Sequence, residues 1–94
     1  MSDKLTKAIQ QFLSTQPVLK AYLFGSHSRK NMKINSDIDI LVELEDSVDL
    51  FQFISIKLEL EKLLNKPVDL VSINGVSPRI KPYIEKDKVL IYEK

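Results

Sequence analysis

Asp37-Ile38-Asp39-Ile40-Leu41-Val42-Glu43-Leu44 alternates along its length, with Ile38, Ile40, Val42 and Leu44 on one face and Asp37, Asp39, Leu41 and Glu43 on the other. The pattern predicts a strand with one apolar side. The i, i+2 spacing aims the carboxylates of Asp37 and Asp39 the same way, with their backbones roughly 7 Å apart. Two carboxylates so placed make a site for a hard cation. Magnesium takes oxygen ligands, keeps several waters and commonly uses one or two carboxylates together with substrate phosphates.

Upstream, residues 27–36 are polar, carry His27, Arg29, Lys30 and Lys33, and show no clean period, which reads as a loop with room for one helical turn. Before it stands Gly25-Ser26, closing the apolar run Val18–Phe24 that reads as a largely buried strand. A glycine and a serine at such a strand end expose backbone N–H groups and a hydroxyl with no side chain in the way, a corner suited to phosphate. Leu5, Ala8, Ile9, Phe12 and Leu13 recur at helical spacing and predict a first helix that Pro17 ends. Only a short loop separates the strand before Gly25 from the one at Asp37. No helical crossover fits there, and the sheet is expected to be mixed.

Downstream, Glu45-Asp46-Ser47 makes a polar turn, and Ser47 or Asp49 can cap a helix over about Leu50–Leu64, which Asn65-Lys66-Pro67 closes. Its apolar positions, Leu50, Phe53, Ile54, Ile56, Leu58, Leu60, Leu63 and Leu64, cover more of the circumference than one sheet contact needs. Burial on most sides is the preferred reading, and a partner surface is the alternative. Val68–Ile73 reads as a third strand, Asn74-Gly75 as a turn, and Ser77-Pro78 as the start of a third helix with Ile80, Tyr83 and Ile84 as its apolar stripe. A last strand runs from Lys88 to Tyr92. The expected architecture is a small α/β (α+β) fold, a mixed sheet of about four strands flanked by three helices, forming a single domain over residues 1–94.

Asp69 places one charge in an otherwise apolar third strand. An ionised carboxylate there is costly unless paired, hydrogen-bonded or metal-bound, so a cation shared with Asp37 and Asp39 is expected to compensate it if the two strands are neighbours. Composition restricts the chemistry further. The chain has no cysteine, which removes disulfides, thiolate metal sites and cysteine nucleophiles and suits a cytoplasmic setting. Fourteen basic against thirteen acidic residues give a net charge of +1, so no whole-molecule field or basic stripe draws it to nucleic acid. No apolar run approaches the roughly 20 residues of a membrane span.

Taken in order, Gly25-Ser26, Asp37-Ile38-Asp39 and a later strand aspartate resemble the DNA polymerase β-like nucleotidyltransferase superfamily, and the small size looks most like its minimal nucleotidyltransferases, the MNT proteins. The resemblance runs from the first helix to the last strand. It implies that Asp37 and Asp39 hold divalent metal at the nucleotide phosphates, with two Mg2+ ions expected. Asp69 would complete the metal site and assist deprotonation of the attacking hydroxyl. Gly25 and Ser26 would grip the triphosphate of ATP, and Arg29 matches a basic residue expected to neutralise phosphate charge. A glycine commonly follows that residue, whereas this chain has Lys30, with His27-Ser28 where small residues are frequent. MNT proteins are commonly encoded beside a HEPN-domain partner, and several act as antitoxins by transferring AMP from ATP onto a tyrosine of that toxin, which implies a hetero-oligomer.

Taken singly, these features have plainer explanations: Asp37 as a turn acid, Asp39 as a solvated outward residue, Arg29 and Lys30 as loop solubility, His27 as a surface or capping residue. The ordered set favours the enzyme. Two metals about 3.5–4 Å apart would stabilise the entering and leaving oxygens of an in-line attack at the α-phosphorus that releases pyrophosphate. An antitoxin that acts by occlusion alone is a second reading, against which the intact carboxylates argue. A small-molecule nucleotidyltransferase is a third, and a chain of this size has no room for the extra domain that usually shapes the acceptor pocket.

Overall fold

The computed structural model describes residues 3–24, 38–79 and 81–94. Helix α1 (Asp3–Leu13) leads into strand β1 (Val18–Phe24), which pairs antiparallel with β2 (Ile38–Leu44). Helix α2 (Leu50–Leu64) crosses to β3 (Val68–Ser72), which pairs parallel with β2. A short 3-10 turn (Ile73–Gly75), helix α3 (Lys81–Asp87) and β4 (Val89–Glu93) complete the chain, and β4 lies antiparallel to β1 on its far side. The order β3-β2-β1-β4 is the mixed four-stranded sheet that the short β1–β2 connection requires.

The alternation read in β2 sets the layers. Ile38, Ile40 and Val42 are buried with Ile9 and Leu13 of α1, Ile56 and Leu60 of α2, and the inward residues of the other strands. Thus α1 and α2 share one face of the sheet. On the other face, Leu41 is buried, not solvated as its polar neighbours suggest, because Ile84 of α3 packs beside it. Lys88, at the end of α3, lies 4.5 Å from the ring centroid of Tyr22 and 2.8 Å from Glu85, fastening α3 against β1.

α2 begins and ends where its punctuation predicts. Asp49 accepts from the Gln52 backbone N–H at 2.8 Å while Gln52 returns the bond to the Asp49 N–H, a complete capping box. Asn65 stops the helix at φ 54°, ψ 39°, a left-handed conformation that asparagine tolerates better than most residues.

Burial of α2 on most sides, by contrast, is overturned. Only Ile56, Leu60 and Leu64 are buried, whereas Phe51 is 84% exposed and Leu50, Ile54, Leu58 and Leu63 are also exposed. The sheet offers one face to the helix, and α1 covers only part of the remainder. Two details of the third helix are corrected as well. It starts at Lys81, not Pro78: residues 78–79 form a turn, with the Lys81 N–H on the Ser77 carbonyl at 3.0 Å, and Pro82 occupies the first helical turn, where its missing N–H costs nothing. Tyr83 is exposed, so Ile84 alone of the described stripe reaches the interior, and Ile80 lies outside the described residues. Among the described residues no helix is long and apolar enough to cross a membrane.

Candidate active site

Asp39 and Asp69, thirty residues apart in the chain, are register partners on adjacent parallel strands. Neighbouring strands lie about 4.8 Å apart, so the two backbones sit side by side. Two contacts set this register: the Ile38 N–H donates to the Pro67 carbonyl at 3.0 Å, and the Val68 N–H donates to Glu61 Oε2 of α2 at 2.9 Å. With Ile38, Ile40, Val68 and Leu70 turned into the core, the intervening aspartates fall on the opposite face. Asp39 is half-buried and Asp69 is exposed. This corrects the expectation that burial forces a cation on Asp69: the residue is exposed, and water reaches it although Val71 shares its face.

Phe24 pairs with Asp39 across β1 and β2, so one row over three strands reads Phe24, Asp39, Asp69. The chain continues from Phe24 directly into Gly25-Ser26. Gly25, Ser26, Arg29 and Asp37 lie outside the described residues, as do His27, Lys30 and the expected loop. Of the predicted site residues, Asp39 and Asp69 are described, and the structure makes them register neighbours. Among the described residues no cluster of three His, Cys, Asp or Glu side chains converges. The donor set suits a hard divalent cation all the same, because two carboxylates share one face and one row with no softer donor between them.

Beside that row opens a pocket of about 260 Å³ lined by the apolar Phe24, Val71, Val76 and Ile84 and by Asp69 itself. The residue reading did not find it, since its walls come from β1, β3, the segment after the 3-10 turn and α3. A larger groove of about 580 Å³ runs along the outer side of α2, lined by residues such as Phe51, Ile54 and Leu58. It holds neither aspartate, whereas Asp69 lines the smaller pocket. The Lys20–Glu93 and Lys88–Glu85 pairs lie away from the row. Lys20 is raised above the usual lysine range by its hydrogen bond to Glu93, and Glu85 is held below the usual glutamate range by its hydrogen bond to Lys88.

Comparison with known proteins supplies an independent line. The model of the family "Polymerase beta, Nucleotidyltransferase" matches residues 7–94. A Methanocaldococcus jannaschii relative, MJ0435, is 36% identical over 87 residues, which is 93% of this chain and 94% of its own. The protein adenylyltransferase MntA of Thermococcus cleftensis is 36% identical over 69 residues, 73% of this chain and 70% of its own. A crystal structure of a toxin-antitoxin assembly with AMP-PNP superposes with a TM-score of 0.82 at 26% identity, covering 95% of this chain and 73% of the matched one.

Proposed function

The chain belongs to the polymerase β nucleotidyltransferase family and is a nucleotidyltransferase; from that premise we propose that it transfers AMP from ATP to a hydroxyl, a tyrosine of a partner HEPN toxin, and so acts as an antitoxin. The observation that carries this reading is the lateral pairing of Asp39 with Asp69 next to the strand end that leads into Gly25-Ser26. Adenylyl transfer is supported by the activity for which the Thermococcus relative is named, and a toxin partner by the assembly in which the similar solved chain is found.

In this reading Asp37, Asp39 and Asp69 hold Mg2+, and Gly25, Ser26 and Arg29 hold the triphosphate. The bound metal supplies charge neutralisation at the phosphates and a Lewis acid for the entering and leaving oxygens. The chain's own contribution is position. The sheet fixes Asp39 and Asp69 as rigid neighbours, so the phosphates meet a site that needs no reorganisation. Asp69, exposed on the edge strand β3, would be reached by an acceptor hydroxyl from solvent and would take its proton. The α-phosphorus then gains the acceptor oxygen and loses pyrophosphate. The exposed apolar side of α2 supports a protein partner, since a contiguous patch of large apolar side chains commonly marks an interaction surface.

The test is to incubate the protein with α-labelled ATP, Mg2+ and the protein encoded beside it, with the Asp37→Asn, Asp39→Asn double variant as control. Label on the partner, lost in the control, is the expected outcome. Tight binding without label, unchanged by the double substitution, would replace catalysis with neutralisation by occlusion, the reading that the exposed face of α2 also favours.

A further inference from the structure

The pocket beside the aspartate row has no role in the account above. Resting on the nucleotide reading, we propose that it seats the nucleobase of the bound nucleoside triphosphate, with Phe24, Val71, Val76 and Ile84 as the walls that receive the ring.

Position comes first. Val71 is two residues from Asp69 on the same face of β3, and Phe24 is the register partner of Asp39. The pocket is therefore lined by Asp69 itself and by the register partner of Asp39. A nucleotide whose α-phosphate lies over the aspartate row carries its base one ribose away, and the pocket that Asp69 lines adjoins that row.

Size and chemistry agree. At about 260 Å³ the pocket falls below the roughly 300–1,000 Å³ that enclose whole ligands, and suits a ring rather than an entire nucleotide. Its walls are one aromatic ring and three branched aliphatic side chains, and Ser77 adds a polar residue to the lining. Apolar walls with a few polar groups are what a heteroaromatic base with edge donors and acceptors requires.

A base is the unreactive end of its molecule, so seating it in this pocket leaves the phosphates free to lie at the aspartate row.

Gly75 makes the proposal testable. It lines the pocket, a Cβ built on it meets no atom within 4 Å, and its backbone is outside the left-handed region. A large side chain is thereby introduced at the lining of the pocket from a position where its Cβ meets no atom. In the unaltered protein, Mg·ATP should move the methyl resonances of Val71, Val76 and Ile84 through the ring current of the base, and Mg·tripolyphosphate should not. Gly75→Trp should weaken Mg·ATP by about tenfold or more while leaving Mg·tripolyphosphate within about twofold. Saturating Mg·ATP that leaves all three residues' methyls in place overturns the base pocket while the nucleotide reading stands. An unaltered protein that binds neither ligand removes the nucleotide reading itself. Should Gly75→Trp lose both ligands, the methyl shifts of the unaltered protein decide the matter.

Discussion

Leu58 and Leu60 are the same residue type, two positions apart on one helix, with opposite surroundings: Leu60 is fully buried and Leu58 is 49% exposed. Replacing each by alanine separates the two sides of α2. Leu60→Ala leaves a hole among Ile40, Ile56 and their neighbours, and buried leucine truncations cost about 2–5 kcal/mol, so about 3 kcal/mol is expected. For a domain of this size each kcal/mol lowers Tm by about 4–8 °C, giving a fall of about 12–24 °C. Leu58 loses only the part of its surface that the helix itself covers, and its truncation should cost below about 1 kcal/mol. Thermal and urea unfolding followed by far-UV circular dichroism measures both. Binding to the partner should show the reverse order, with Leu58→Ala weakening the complex at concentrations where both variants are folded. Equal destabilisation by the two substitutions would refute the reasoning, because it would mean that the outer side of α2 is covered in the isolated protein.

Three further outcomes follow from the geometry. Asp69→Asn keeps the shape and exposure of the side chain but removes a carboxylate beside Asp39, and should lower transfer by about a hundredfold or more with an unchanged unfolding curve; near-normal turnover would take Asp69 out of the site. Asn65→Ala puts a Cβ-bearing residue without a compensating side chain at φ 54°, and should cost about 1 kcal/mol, whereas Asn65→Gly should not destabilise, as read from urea midpoints. Glu85 has its carboxyl lowered by Lys88, so its contribution is present above the ordinary glutamate range and lost as pH falls through the depressed value. Glu85→Gln should therefore make Tm less sensitive to acid over that range, and an identical pH profile would dismiss the pair as a contributor.

How far the residues alone revealed this arrangement depends on how local each signal was. The limits of α2 were readable because a capping acid and an asparagine–proline stop act on adjacent backbone groups. The strand at Asp39 was readable because alternation is a two-residue signal, and the mixed sheet followed from a connection too short for a crossover. The pairing of Asp39 with Asp69 was not fixed in this way, since register between β2 and β3 depends on α2 docking and on the Pro67 and Glu61 contacts. Leu41 looked solvent-facing because nothing in its own strand announces α3. Asp69 looked stranded in apolar surroundings because Val68 and Leu70 speak for the opposite face only. Phe24, Val71 and Ile84 gave no sign of a pocket, being ordinary apolar residues whose convergence is purely tertiary.

The parallel joining of β2 to β3 also bears on when the aspartate row comes into being. β1 and β2 are antiparallel and nearer in sequence, while β3 reaches β2 only after the fifteen residues of α2 have been laid against the sheet. Pairings of larger sequence separation pay more loop-closure entropy before their contacts compensate it. Asp39 and Asp69 therefore become neighbours only in chains that have completed the crossover, and a partly folded chain has one carboxylate of the described pair at a time. Ligand-binding capacity at the row acts as a reporter of completed folding: substitutions on the inner side of α2 should reduce the number of binding-competent molecules while leaving the affinity of each unchanged.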